Sequence, residues 1–133
     1  AMSTRKKIET KKAPKAIGPY SQAIAMGNIV YLSGQIPLDP NTMELVQGEE
    51  EQIRQVFANL AAVCNAANST LNDIVKLNVY LQDLSIYPKV NEIMLTLFKE
   101  PFPARAAVEV SKLPLGALIE IEGVIIKDST YSF

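Results

Sequence analysis

The sequence has 133 residues, of which 13 are lysine or arginine and 14 aspartate or glutamate, with no histidine and one cysteine. This length fits one compact domain, and the lack of histidine excludes a Ser-His-Asp triad, a Cys-His dyad and zinc sites that use histidine. The single cysteine excludes an internal disulfide, and a net charge of -1 argues against a broad surface for nucleic acid.

The N-terminal segment is rich in lysine and precedes the first apolar stretch. Its lysine cluster is short and interrupted, which favours a solvated flexible arm over residues 1–12 rather than a targeting or nucleic-acid-binding tail. Ala1, which precedes Met2, is interpreted as a cloning remnant. No apolar run follows these charges, and no stretch approaches the roughly 18 apolar residues of a membrane span. We therefore expect a single domain over residues 13–133, a cytoplasmic location and no membrane partner.

Hydrophobic patterning predicts the elements that follow the arm. Two apolar runs around the Gly27-Asn28 pair predict a hairpin, and apolar residues at steps of three and four predict two helices. Alternation of apolar and polar residues predicts a strand between the helices and two strands after them. The predicted elements are strands at 23–26 and 29–33, a helix at 48–67, a strand at 75–82, a helix that begins near 83–85 and ends before Pro101, and strands at 104–110 and 118–126.

The order β-β-α-β-α-β-β predicts an α+β fold in which two helices cover one face of a mixed sheet. Cys64 falls on the apolar stripe of the first helix, so a buried core residue is favoured over a catalytic thiol. The last strand places Ile119 and Ile121 on one face, whereas Glu120 and Ile126 alternate onto the other. Because a monomer would expose the apolar groups of this second face to water, the pattern predicts a homo-oligomer.

Arg105 is the one charged residue of the otherwise apolar stretch 102–108. Alternation places it on the same strand face as Ala107 and Glu109. Its planar guanidinium suits a carboxylate ligand, and the neighbouring alanines leave room for a small molecule. A structural ion pair with a nearby glutamate is the alternative, and the pattern alone slightly favours it.

Other polar residues form weaker signals around the predicted strands. Glu120 and Glu122 share one strand face and fit either acid-base chemistry or a solvated pair, and without a histidine or cysteine cluster they do not indicate a transition-metal site. Tyr20 follows a Gly-Pro turn that fixes its position. Gly34 lets the backbone approach another group closely, or it marks a bulge.

Taken together, these segments closely resemble the RidA family, which is also called the YjgF family. The resemblance covers residues 13–127 and keeps the order of the family motifs. The segments that carry it are IGPYSQA at 17–23, LSGQIP at 32–37, FPAR at 102–105, VEV at 108–110 and LPLGALIEIE at 113–122.

The resemblance implies a chorismate-mutase-like α+β fold, assembled as a homotrimer with sites in clefts between subunits. It implies hydrolytic deamination of 2-iminobutanoate and 2-iminopropanoate, which gives 2-oxo acids and ammonia without a cofactor or metal. Such an imine is already electrophilic, so orientation and one acid-base group are enough for its hydrolysis. The residues it assigns are Arg105 for the substrate carboxylate, Glu120 for the attacking water, and Tyr20, Ser33, Gly34, Asn91 and the backbone amide of Ala107 for the pocket.

The sequence departs from the family pattern at Ala107, where similar deaminases often carry cysteine. Because the implied contact at this position runs through the backbone amide, alanine retains it. Two other functions stay open. One is an endoribonuclease or translation inhibitor, which the charge balance and the lack of histidine disfavour. The other is a non-catalytic trimer that binds small carboxylates or acts as a chaperone, which does not account for Glu120 opposite Arg105.

Overall fold

The computed structural model describes residues 5–128. The predicted arm's first four residues and residues 129–133 of the predicted domain lie outside this range. Within it, the chain forms a sheet and two α-helices joined by loops and short 3-10 turns. In chain order the elements are β1 (Arg5–Ile8), β2 (Ala23–Met26), β3 (Ile29–Gln35), α1 (Glu49–Ala66), β4 (Ile74–Leu81), α2 (Tyr87–Leu97), β5 (Ala104–Glu109) and β6 (Ile119–Ile126).

The described strands form one mixed sheet in the order β1-β2-β3-β6-β4-β5. Every neighbouring pair is antiparallel except β4 and β5, which are parallel. Parallel neighbours need a long crossover connection, and α2 provides it between these two strands. The predicted α+β class is therefore confirmed.

The prediction of a flexible arm is wrong for the segment Arg5–Ile8. This segment pairs with β2 in the register Arg5↔Met26 to Ile8↔Ala23, and the Ile8 side chain is buried. Three charged residues in four conceal the strand pattern, but an edge strand tolerates exposed lysine and arginine because one of its sides faces water. The sheet consequently has one strand more than the sequence predicted.

Both helices pack on the sheet face that carries Ile119, Ile121 and Ile125, each fully buried. Cys64 lies in this core, and burial raises the pKa of its thiol to about 12. Both predictions, the buried isoleucine face and the core cysteine, are confirmed. None of the helices in the described part of the chain is long and apolar enough to cross a membrane.

The opposite side of the sheet, here called the open face, has no helix over it within the described residues. Tyr31 is 57% exposed there and Ile126 is 49% exposed. Glu120, Glu122 and Val124 alternate onto the same face of β6 and are half-buried. The open face therefore combines carboxylates with exposed apolar groups, as the alternation in the last strand predicts.

Candidate active site

Arg105 reaches from β5 to the neighbouring helix α2. Its Nη1 donates hydrogen bonds to Asn91 Oδ1 at 2.7 Å and to Met94 Sδ at 3.3 Å, and its Nη2 donates to the Tyr87 hydroxyl at 2.5 Å. These three partners are neutral. Among residues 5–128 no carboxylate forms an ion pair with this guanidinium, so the alternative of a structural ion pair is not supported within one subunit.

A cavity of about 440 Å³ opens beside the Arg105 guanidinium. Phe102 and Pro103 from the loop before β5 form part of its wall, together with Leu95 from α2. The cavity thus combines one cation with apolar walls, which suits a small molecule that carries a carboxylate at one end and an aliphatic group at the other. Ala107 lies two residues further along the same face of β5 and packs against the core.

Glu120 lies on the open face, against a bulge in β3. Leu32 pairs with Gly123 and Gln35 with Ile121, so β3 carries one residue more than the opposite part of β6. Gly34 belongs to this bulge, and the Glu120 carboxylate lies over its α-carbon. A side chain at position 34 would occupy the space of the carboxylate. The close approach that the sequence suggested for Gly34 is therefore an approach to Glu120.

The pKa of Glu120 is raised above its ordinary value by burial and, secondarily, by the nearby charge of Glu122. Glu122 is held in place from β4: its Oε2 accepts hydrogen bonds from Asn78 Nδ2 at 3.1 Å and from the Tyr80 hydroxyl at 2.8 Å. The Glu122 carboxylate is thus bonded to β4, whereas the Glu120 carboxylate has a raised pKa. This arrangement favours Glu120 as the acid-base group.

Tyr20 and Ser33 line a cavity of about 530 Å³ on the open face. The Ser33 hydroxyl donates to the Ser21 carbonyl oxygen at 2.6 Å, which ties β3 to the loop that carries Tyr20. The Tyr20 hydroxyl accepts from the Ile17 backbone amide at 3.3 Å, and its side chain remains 53% exposed. This loop therefore presents a largely uncovered aromatic ring at the edge of the cavity.

The strand register places Arg105 and Glu120 on opposite faces of the sheet. Arg105 pairs with Leu77 of β4, which is fully buried beneath the helices, whereas Glu120 pairs with Tyr80 of the same strand. Leu77 and Tyr80 are three residues apart, so they point to opposite faces, and paired residues share a face. Within one subunit the Arg105 guanidinium and the Glu120 carboxylate therefore lie on opposite sides of the sheet.

The predicted site residues fall into two groups. Arg105, Asn91 and Ala107 lie on the helix side, and Tyr20, Ser33, Gly34 and Glu120 lie on the open face. The sequence did not predict Tyr87 and Met94 as partners of Arg105, although their spacing around Asn91 on α2 is a signal for one helix face. It also missed the support of Glu122 by Asn78 and Tyr80, which depends on the pairing of β4 with β6.

Comparison with known proteins places this geometry in a family. A family model described as Endoribonuclease L-PSP matches residues 10–127. A RutC family protein of Pyrococcus abyssi is 51% identical over 122 residues, which cover 91% of this chain and 96% of that protein. A 2-iminobutanoate/2-iminopropanoate deaminase of Dermatophagoides farinae is 42% identical over 126 residues, which cover 94% of this chain and 98% of the other.

Solved structures with the same fold include two bacterial members. RidA from the Antarctic bacterium Psychrobacter sp. PAMC 21119 is 51% identical, with a TM-score of 0.89 over 92% of this chain and 99% of that one. E. coli TdcF with bound serine is 37% identical, with a TM-score of 0.88 and the same coverage.

The fold and its polar groups define a small α+β domain with candidate site residues on both faces of one sheet. The family model spans nearly all of this domain, and the relatives match it over almost their full length. The chain belongs to the RidA (YjgF) family, whose model carries the description Endoribonuclease L-PSP.

Proposed function

We propose that the protein hydrolyses 2-imino acids such as 2-iminobutanoate and 2-iminopropanoate to 2-oxo acids and ammonia. We further propose that it does so as a homotrimer whose sites lie between subunits. The observation that carries the proposal is that Arg105 and Glu120 lie on different faces of the sheet, where each contacts different residues. Relatives at 42% to 45% identity that bear the deaminase name support the choice of reaction.

The open face supplies a reason for assembly. Its exposed apolar side chains, which include Tyr31 and Ile126, favour contact with another copy of the chain. In a cyclic trimer the same two surfaces meet at every interface. Each subunit therefore contributes its helix-side residues to one site and its open-face residues to another. In the proposed assembly Glu120 of one subunit faces Arg105 of the next.

The proposed reaction begins with the substrate carboxylate bound to Arg105 in the cavity beside α2. Glu120 accepts a proton from a water molecule as the water oxygen attacks the carbon of the protonated imine, which gives a neutral tetrahedral carbinolamine. The protonated Glu120 then returns the proton to the amine nitrogen. Ammonia leaves as the carbinolamine hydroxyl becomes the carbonyl of the 2-oxo acid, and the hydroxyl proton passes to Glu120. Water is consumed, and the charge balances at each step.

The electrostatics of the two groups suit these roles. A guanidinium fixed by helix α2 binds a carboxylate without reorganisation, which holds the imine carbon in one place. A glutamate whose pKa is raised by burial binds a proton more readily than an ordinary carboxylate does. It is therefore better matched to proton transfer near neutral pH.

A coupled assay tests the proposal. A pyridoxal-phosphate-dependent threonine dehydratase releases 2-iminobutanoate by way of its enamine, and the formation of 2-oxobutanoate is followed with and without this protein. We expect 2-oxobutanoate to appear faster than by spontaneous hydrolysis, with a rate that depends on the protein concentration. The same rate with and without protein would overturn the proposal, and binding of 2-oxobutanoate without turnover would leave a carboxylate-binding trimer instead.

RNA cleavage is the second candidate, because the matching family model is described as an endoribonuclease. The 13 basic residues are balanced by 14 acidic ones, which argues against a strongly positive track for a polyanion. Protein freed of contaminating nuclease should therefore bind RNA weakly and without sequence preference. Saturable RNA cleavage that is lost in Glu120→Gln would favour RNA cleavage over imine hydrolysis as the function.

A further inference from the structure

Helix α2 presents three neighbouring side chains to the Arg105 guanidinium. Tyr87, Asn91 and Met94 follow one another at intervals of four and three residues, so they lie on one helix face. Each accepts a hydrogen bond from Arg105. The Arg105 Cζ also lies 4.9 Å from the centroid of the Tyr87 ring. The tyrosine therefore contacts the arginine through both its ring and its hydroxyl.

Counting hydrogen-bond donors shows what the guanidinium has left for a ligand. A guanidinium has five N–H groups. Asn91 and Met94 occupy both hydrogens of Nη1, and Tyr87 occupies one hydrogen of Nη2. The N–H of Nε and the second N–H of Nη2 remain. Nε and Nη2 share one edge of the guanidinium, and a carboxylate can accept hydrogen bonds from both atoms.

The Tyr87 hydroxyl also has a donor to spare. Its oxygen accepts the hydrogen bond from Arg105, and its own proton has no acceptor among residues 5–128. The side chain is half-buried and lines the cavity next to the guanidinium. An O–H group that lines this cavity and accepts from Arg105 can turn its own proton toward a carboxylate bound beside the guanidinium.

We infer that Tyr87 is a substrate-binding residue that donates its hydroxyl proton to the carboxylate held by Arg105. It adds a third donor to the two N–H groups that remain on the guanidinium. The inference rests on the proposed function and names a group that binds the acid end of its substrate. It further implies selectivity for 2-imino acids over neutral imines, because an amide or ester in the same place offers a weaker acceptor.

The variant Tyr87→Phe tests this role because it removes one oxygen and keeps the ring against Arg105. We expect the dissociation constant of 2-oxobutanoate, measured by titration calorimetry, to rise by roughly ten-fold or more, the worth of a hydrogen bond to a charged group. The KM for the imino acid should rise with it while kcat changes little, because a contact made equally in ground and transition states is lost. Glu92→Gln, an exposed change on the same helix, is the control and should leave both constants unchanged.

A second measurement observes the Tyr87 side chain of the wild-type protein directly as the ligand binds. Protein labelled with ¹³C at the tyrosine Cζ is titrated with 2-oxobutanoate, and the Tyr87 signal is assigned by its loss in Tyr87→Phe. We expect this signal to move on saturation. A signal that stays in place, or unchanged binding in Tyr87→Phe, would overturn the inference. Failure of the wild-type protein to bind 2-oxobutanoate would instead overturn the proposed function on which it rests.

Discussion

The carboxylate of Glu120 lies over the α-carbon of Gly34, where β3 bulges against β6. A β-carbon placed on Gly34 would come within 2.1 Å of Glu120 Oε2 and 3.1 Å of its carboxyl carbon. No side chain of any size fits at position 34 unless this carboxylate moves. The position of the Glu120 carboxylate thus requires glycine at residue 34, where the antiparallel pair of β3 and β6 forms a bulge.

Gly34→Ala should therefore reduce imine hydrolysis without unfolding the protein. The new methyl group displaces the Glu120 carboxylate, and a displacement of about 1 Å can cost on the order of 100-fold in rate. The variant is compared with Glu120→Asp and with the double variant in the coupled assay, alongside thermal unfolding. We expect the two effects to be coupled, because both act on the position of one carboxylate. Effects on kcat that simply multiply would contradict the contact.

Arg105 and Glu120 should have separable effects on binding and turnover. Arg105→Lys keeps the charge but loses the paired N–H groups, so 2-oxobutanoate should bind weakly and activity should fall to near background. Glu120→Gln keeps the shape but accepts no proton, so binding should persist while kcat falls by roughly 10²- to 10⁴-fold. Calorimetry and the coupled assay measure the two quantities. A fully active Glu120→Gln would remove the glutamate from the mechanism.

The charge of Glu122 should set the acidic limit of the activity. In the proposed mechanism Glu120 acts as a base when ionised, and its raised pKa moves this limit above that of an ordinary glutamate. Glu122→Gln removes the nearby negative charge and lowers the pKa of Glu120, although burial still raises it. Lys76 and Tyr80 on β4 share the open face and are unchanged in this variant.

The pH dependence of kcat/KM, corrected for spontaneous hydrolysis, measures this shift. The acidic limb of the profile in Glu122→Gln should lie at lower pH than in the wild type. Glu44→Gln changes the net charge equally in an exposed loop and should leave the limb in place. A limb that moves to higher pH in Glu122→Gln would contradict the assigned cause of the pKa shift.

Most strands and both helices follow from periodicity, because each buries one face and its apolar residues repeat accordingly. The final strand is the clearest case, since Ile119 and Ile121 alternate with Glu120 and Glu122 in the sequence and in the sheet. The edge strand Arg5–Ile8 escaped prediction because it buries only Ile8 and is held by backbone pairing to β2.

The sequence names the candidate site residues but does not show where the fold places them. The resemblance selects Arg105 and Glu120 together, yet their opposite orientations depend on the strand order β6-β4-β5, which no local pattern contains. The contacts of Arg105 with Tyr87 and Asn91 join residues 18 and 14 positions apart in the chain. Such contacts arise from the crossover of α2 over β4 and β5, so they become visible only when the fold is known.

The Cys64 thiol should not react with thiol reagents in the native protein. Its side chain is buried among core residues of α1, and burial raises its pKa to about 12, so little thiolate forms at ordinary pH. At about pH 8 a disulfide reagent such as dithionitrobenzoate should not react with the native protein, but should label one thiol per chain after denaturation in guanidinium. If the reagent modified this thiol in the native protein and imine hydrolysis were lost, the assignment of Cys64 to the core would be contradicted.

The shared site can be tested by mixing two inactive variants. Arg105→Lys lacks one half of the proposed site and Glu120→Gln the other, so each homotrimer is inactive. In a trimer made of both, one interface joins an intact Arg105 from one variant to an intact Glu120 from the other. Equal amounts of the two variants are unfolded and refolded together. Random assembly makes about three quarters of the trimers mixed, and each mixed trimer has one intact site in three. The mixture should therefore recover about a quarter of the wild-type activity. Each variant refolded alone is the control, and sedimentation equilibrium should give three times the chain mass. Persistent inactivity of the mixed trimers would place both residues in the site of a single subunit, against the separation of Arg105 and Glu120 by the sheet.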